Sequence, residues 1–196
     1  DDLENCAGGF GRPGDGPDRY RVTLPADGRS FTLDYAVEWP RGPGGRDYLY
    51  LDGGHGWYPR VADDQRVTFR LDLDLPPGWT GVSQGGAGAR EGAPRRWRAD
   101  QPQRDIQLVA APFTVYRRDT PHGQAQVYLL DDDPGLAADY LEATARYLAL
   151  YSALIGPYPY PKFALVENVA QTGYGMASFT LLGSRVKIGR ASCRER

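Results

Sequence analysis

The sequence predicts a mainly β protein with an antiparallel N-terminal part, followed by one long helix and a second group of strands. Two observations carry this prediction. Several segments alternate between apolar and polar residues, which is typical of strands with one buried and one solvated face. The 196 residues also include 25 glycines and 16 prolines, a composition that favours short strands joined by many turns.

The clearest strand prediction is Val67–Leu75, where Val, Phe and Leu side chains alternate with Thr, Arg and Asp side chains. Similar patterns predict five further strands, over residues 20–24, 31–39, 47–51, 106–115 and 124–130. Turn-forming residues separate these segments, so we expect an antiparallel β domain over residues 18–131. Residues 1–17 are rich in Gly, Asp and Pro and are predicted to form a loose lead-in.

A long helix is predicted directly after this β domain. Asp133 supplies an N-cap side chain, and Pro134 suits the first helical position. Apolar residues then recur at helical spacing as far as Ile155, where Gly156 and Pro157 end the helix. The change from a period of two to a helical period predicts a domain boundary near residue 132 and a second domain over 132–187.

Composition and motifs exclude several functions for the chain itself. The net charge of -2 gives no electrostatic basis for binding nucleic acid. No stretch is long and apolar enough to cross a bilayer. The two histidines, His55 and His122, lie in separate Gly-containing segments, and neither belongs to an H-E-x-x-H helix that could bind zinc. We therefore assign no catalytic residue and no metal ligand to this chain.

The segment Thr172–Ser178 reads TGYGMAS and is predicted to form a Gly-rich loop between two strands. Glycine lets another backbone approach closely, and an exposed strand edge can bind an extended peptide by adding it to the sheet. A plain bulged hairpin without a binding role is the open alternative. A second alternative site is the aromatic pair Trp57-Tyr58, which could stack on a glycan or a partner protein, although packing against the core is the commoner outcome.

The run Lys162–Ser178 resembles the segment that leads into the Gly-x-Met-Glu-Asn substrate loop of aminopeptidase N-like zinc metallopeptidases. Gly175 and Met176 match the residue before the methionine and the methionine itself. Trp57-Tyr58-Pro59 is similar to a Phe-Pro element of the family's β-domain. The resemblance is to a bacterial branch of this gluzincin family (peptidase clan MA). It implies a β-sandwich or saddle-shaped N-terminal domain and the α+β start of a thermolysin-like catalytic domain.

The resemblance also implies a substrate-binding role for Tyr174, Gly175, Met176, Ala177 and Ser178, whose backbone would pair with a bound peptide. Ala177 stands where the family has the glutamate that binds the substrate's free α-amino group, so recognition of a free N-terminus is in doubt. Asp52 is a candidate for a second amino-group anchor. The family's zinc ligands and general base would lie beyond Val186, so zinc is expected in a full-length parent and this fragment is expected to be inactive.

The last nine residues, IGRASCRER, share none of the preceding pattern and match the translation of a common sequencing-adapter read. We therefore expect residues 188–196 to be a non-native tail, with an ordinary basic tail as the alternative. The parent is expected to be a peptide-hydrolysing enzyme outside the cytoplasm. The alternative function is a non-enzymatic β-domain that binds a protein or glycan partner.

Overall fold

The computed structural model describes residues 23–24, 26, 28, 30–36, 38, 47–60, 66–87, 96–171 and 173–183. These residues form short strands and one α-helix, α1 (Pro134–Leu154). The strands are β1 (Leu49–Leu51), β2 (Val67–Asp72), β3 (Thr80–Ser83), β4 (Gly86–Ala87), β5 (Arg96–Gln103), β6 (Leu108–Ala111), β7 (Thr114–Thr120), β8 (Gly123–Leu129), β9 (Lys162–Asn168), β10 (Gly173–Met176) and β11 (Phe179–Gly183).

Two antiparallel sheets of three strands come from the first part of the chain. One has the order β1-β6-β3 and the other the order β2-β5-β4. In β2 every second residue is half-buried, as its alternating sequence predicted, and Leu71 lies opposite the fully buried Trp97 of β5. The solvated faces carry charged pairs such as Arg96–Asp72, which are exposed and contribute little to stability.

The third sheet is mixed and has the order β10-β11-β9-β8-β7. β8 and β9 are parallel, as are β9 and β11, while the outer pairs are antiparallel. Parallel neighbours need a crossover connection, and α1 supplies it between β8 and β9. This sheet includes strands on both sides of residue 132, where the sequence predicted a domain boundary. The boundary stays a prediction.

α1 begins as its sequence predicted. The Asp133 side chain accepts a hydrogen bond from the Leu136 N–H at 2.9 Å, and Pro134 occupies the first turn. The helix buries four residues against the mixed sheet: Ala137, Tyr140, Thr144 and Leu148. Its last two turns carry large apolar side chains that remain exposed among the described residues: Tyr147, Leu150, Tyr151 and Leu154, followed by Ile155.

The core consists of two clusters on opposite faces of the mixed sheet. The first joins this sheet to the two smaller ones and includes Trp97, Tyr128 and Phe179, all fully buried. The second joins α1 to β8 and β9 through residues such as Tyr140 and Leu165. Apolar burial of this size is the main favourable term in folding. The smaller sheets and the mixed sheet are therefore packed together rather than merely linked by the chain.

The structure confirms a mainly β fold, and its described residues form two antiparallel sheets and one α-helix, while the third sheet is mixed. The predicted strand over residues 31–39 is wrong for its described part, which forms no strand and leaves Phe31, Leu33 and Tyr35 exposed. An alternating segment becomes a strand only when a neighbour pairs with it, and no described strand pairs with this one. Most of the predicted strand over 20–24, the lead-in over 1–17 and the tail over 188–196 lie outside the described residues. Within the described part, no helix has the length and apolar character needed to cross a membrane.

Candidate functional site

The glycine-rich segment forms an edge hairpin rather than the loop that the sequence predicted. β10 ends at Met176 and β11 begins at Phe179, and the strands pair across the two-residue turn Ala177–Ser178. Ser178 has a φ of 69°, a left-handed conformation that normally favours glycine. The Ser178 Oγ accepts a hydrogen bond from the buried Gly85 N–H at 3.0 Å. The turn is thus fixed by contacts with the smaller sheets.

The five residues predicted to bind substrate differ in exposure along this hairpin. Tyr174 and Gly175 are exposed, Met176 and Ala177 are half-buried, and Ser178 is only 2% exposed. Met176 packs against the first core cluster. The structure therefore presents the first two residues to solvent and directs the last one inward. Substrate binding by these residues stays a prediction.

β10 is the last strand of the mixed sheet, and no described strand pairs with its outer side. The turn places Met176 opposite Phe179, the two ends of a β-turn that are commonly joined by a hydrogen bond. Backbone groups alternate along an antiparallel pair, so the N–H and C=O groups of Gly173 and Gly175 are expected to point away from β11. An extended chain could pair with these outward groups.

Neither backbone conformation nor packing accounts for the glycine at position 175. Its φ lies outside the left-handed region, and a Cβ built on it meets no described atom within 4 Å. Glycine in a strand is less stable than alanine by about 0.5–1 kcal/mol. A glycine that has room for a side chain fits a place where another backbone approaches closely.

The turn after β1 lies beside this hairpin. The Tyr50 ring stacks on the Tyr174 ring, with centroids 6.5 Å apart and planes 12° from parallel. The Tyr50 hydroxyl donates to Asp52 Oδ2 at 3.0 Å, and Asp52 Oδ1 lies 2.7 Å from His55 Nδ1. The chain thus brings Asp52, the candidate amino-group anchor, into a side-chain network that ends at Tyr174. Sequence spacing alone did not indicate this network, because its two ends are more than a hundred residues apart.

The surroundings of Asp52 favour the ionised form of its carboxylate. Partial burial raises its pKa, but hydrogen bonds from His55 and Tyr50, the charge of His55 and the Gly54 N–H together lower it below its ordinary value of 3.8. Burial and the hydrogen bond to Asp52 raise the pKa of Tyr50, so its hydroxyl stays a donor. The Asp52 carboxylate is therefore ionised at neutral pH.

The aromatic pair Trp57–Tyr58 is packed within the protein rather than exposed as a binding surface. The two rings meet edge to face, 5.3 Å apart, and both residues are half-buried. The Tyr58 hydroxyl donates to Asp105 Oδ1 at 2.7 Å and accepts from the Ile106 N–H at 3.1 Å. This arrangement corresponds to the packing alternative and joins the turn after β1 to the segment before β6.

A second concave region lies at the carboxyl ends of the parallel strands. It is a cavity of about 350 Å³ bounded by the ends of β8, β9 and β11 and by the start of α1. Two of its three carboxylates have internal partners: Glu167 accepts from the Leu130 N–H and Asp133 from the Leu136 N–H. No group of three or more His, Cys, Asp or Glu residues in the described part of the chain could hold a metal ion.

Comparison with known proteins identifies the class of fold. No family model matches the sequence, and no curated protein matches it. The structure is similar to that of an M1 zinc metallopeptidase from Deinococcus radiodurans, with 17% identity and a TM-score of 0.52 over 65% of this chain and 33% of that chain. A two-domain M1 zinc metallopeptidase mutant bound to L-tryptophan matches with 15% identity and a TM-score of 0.52, over 74% of this chain and 39% of that one.

An aminopeptidase N family protein from Idiomarina loihiensis gives the same TM-score of 0.52, with 12% identity over 76% of this chain and 27% of that chain. The chain thus spans well under half the length of these structures. At such identities the similarity shows the fold alone. This chain therefore shares a fold with part of the M1 zinc metallopeptidases and aminopeptidase N family proteins.

Proposed function

We propose that this chain is the N-terminal part of a zinc-dependent peptidase of the aminopeptidase N type, in which β10 pairs with an extended peptide substrate. Gly175 carries the proposal: it lies on a sheet edge with which no described strand pairs, it is exposed, and no described atom would block a Cβ there. Peptide addition to a strand edge gives affinity through main-chain hydrogen bonds. The shared fold and the resemblance of Lys162–Ser178 to a substrate-loop segment support the same function.

Ala177 affects which peptides the parent would accept. A methyl group cannot pair with an ammonium, so the resemblance predicts no anchor for a free N-terminus at this position. We assign that role to Asp52, whose ionised carboxylate is linked through Tyr50 to the aromatic contact with Tyr174. If Asp52 does not act in this way, the parent would cleave blocked and free peptides alike.

Zinc belongs to the proposed parent rather than to the described part of this chain. The described residues offer no set of zinc ligands, so no step of hydrolysis is assigned to them. When bound in the parent, zinc would polarise the scissile carbonyl and activate water. Our proposal requires an H-E-x-x-H helix in the continuation of the reading frame past Val186, and genomic sequence without that helix would remove its basis.

The test on the parent compares Gly175→Pro with Gly135→Ala. Proline at position 175 removes one outward N–H and is tolerated on an edge strand where that group is unpaired. Gly135 is also exposed, and a Cβ there makes only an ordinary contact at 3.5 Å, so its alanine variant serves as the control.

We expect Gly175→Pro to raise KM for an unblocked peptide about tenfold, because one main-chain hydrogen bond to the peptide is lost. Zinc content and the unfolding midpoint should stay the same. Gly135→Ala should change none of these. A Gly175→Pro enzyme with unchanged KM would show that β10 does not pair with substrate. The same assay on N-acetylated peptide, with and without Asp52→Asn, tests the amino-group role.

A further inference from the structure

Lys162, the first residue of β9, is buried although it carries an amino group. It is 2% exposed, and its Nζ donates to Ser83 O at 2.9 Å and to Ser178 O and Ser178 Oγ at 3.0 Å each. A protonated lysine has three N–H donors, and three acceptors surround this one. The nitrogen also lies 5.1 Å from the ring centroids of both Trp97 and Phe179.

The lysine has no carboxylate partner among the described residues, since none of their ion pairs includes it. Burial of an amino group without an opposite charge costs free energy, and here burial lowers the pKa of Lys162 well below its ordinary value. The aromatic rings offset part of that cost. A methionine would fill similar space without it, so stability alone does not account for a lysine here.

The acceptors belong to separate parts of the fold. Ser83 ends β3 in the first small sheet, and Ser178 lies in the turn between β10 and β11. Ser178 O also accepts from the Ala164 N–H at 3.1 Å, and Ser178 Oγ accepts from the Gly85 N–H. Gly85 has a φ of 78°, and a Cβ on it would collide with the Arg98 carbonyl, so only glycine fits where this backbone packs against β5. We call Lys162, Ser83 and Ser178 the lysine junction.

We infer that Lys162 is a positioning residue for the peptide-binding edge: through the lysine junction it fixes the turn at Ser178, and thereby β10, relative to the smaller sheets. The inference rests on the proposed role of β10 in peptide binding. Tyr174, on β10, contacts Tyr50, on β1, so the same junction also fixes the distance between the strand edge and the Asp52 turn. Both sides of the proposed peptide site would move if the turn were released.

The test uses the whole 196-residue chain, amide hydrogen exchange and titration with unblocked pentaalanine followed by NMR. Lys162→Met removes the amino group and keeps an unbranched apolar side chain. We expect the amides of Tyr174 and Met176 to exchange about tenfold faster relative to those of β7 and β8, because the turn loses about one hydrogen bond's worth of stabilisation. The pentaalanine affinity should fall about tenfold, with smaller shifts of the Gly173 and Gly175 amides.

Val127→Ala is the control, because Val127 is fully buried in β8 and belongs to the other core cluster. It should speed exchange throughout and leave the ratio of β10 to β8 exchange unchanged. If Lys162→Met does not fold, Ser178→Ala removes one acceptor and replaces it in the test. An unchanged exchange ratio overturns the inference, as does a changed ratio with unchanged pentaalanine affinity. A wild-type chain that binds no pentaalanine contradicts the proposed function instead, and the exchange ratio still decides whether Lys162 fixes the hairpin.

Discussion

Ser178 combines an unfavourable backbone conformation with two hydrogen bonds, and the two effects can be separated by substitution. Its φ of 69° is a left-handed value that costs a non-glycine residue about 1–2 kcal/mol. Its Oγ accepts from the Gly85 N–H and from Lys162 Nζ. Ser178→Ala keeps the backbone cost and loses both hydrogen bonds. Ser178→Gly loses the same bonds and relieves the backbone.

The magnitudes follow from these contacts. Loss of the acceptor leaves the buried Gly85 N–H unpaired, which costs about 1–3 kcal/mol, while Lys162 retains two of its three acceptors. We therefore expect Ser178→Ala to lower the free energy of unfolding by about 2–4 kcal/mol. Ser178→Gly should lower it by about 1 kcal/mol less, since relief of the backbone exceeds the added entropy of the unfolded chain.

Urea denaturation followed by tryptophan fluorescence measures both values, with an unchanged m-value as the condition for comparing them. Ser152→Ala is the control: the Ser152 hydroxyl is buried in α1 and has no hydrogen-bond partner among the described residues, so its removal should be neutral or stabilising. The reasoning is refuted if Ser178→Gly is destabilising by as much as Ser178→Ala, because the left-handed backbone would then carry no cost.

Two further predictions concern stability. Asp133→Ala should lower the free energy of unfolding by about 1 kcal/mol through loss of the α1 N-cap, whereas Asp131→Ala should change it little; equal effects in thermal unfolding would contradict the cap. Burial lowers the pKa of Lys162 in the folded chain well below the 10.5 of the unfolded chain. At pH values between the two pKa values, the unfolded chain holds a proton that the folded chain has released. The free energy of unfolding should then rise with pH in that interval, by at most about 1.4 kcal/mol per unit, and Lys162→Met should flatten the rise over the pH range immediately below 10.5; a wild-type slope equal to that of the variant would exclude this linkage.

Local patterns in the sequence predicted the elements whose signals are local. The alternation in Val67–Leu75 and the Asp133-Pro134 cap gave β2 and α1 nearly at their observed bounds, because side-chain period and capping depend on neighbouring residues. β5 was missed because its sequence, RWRADQPQ, is mostly polar, although Trp97 within it is fully buried. Only two of its buried residues, Trp97 and Ala99, are apolar, so the alternation is too short to predict a strand.

In the candidate site, too, the sequence predicted the features that depend on neighbouring residues and missed those that depend on distant ones. Gly175 and Met176 were found through a resemblance in a continuous segment. The contact between Tyr50 and Tyr174 and the lysine junction were not predictable, because they join residues that are far apart in sequence and meet only when the sheets pack. Thr172–Ser178 was predicted as a loop because of its glycines, yet pairing with β11 makes Gly173–Met176 a strand. Tertiary pairing overrides the low strand propensity of glycine.

Because Lys162 is buried, the chemical reactivity of its amino group depends on how often the fold opens. Only two lysines occur in the sequence, Lys162 and Lys187, so peptide mapping after reaction with an acylating reagent distinguishes them without ambiguity. A nitrogen that is enclosed by two aromatic rings and three oxygen atoms can react only during openings that expose it. The acylation rate at Lys162 would therefore measure how often the mixed sheet separates from the smaller sheets. The measurement needs neither isotope labelling nor engineered cysteines.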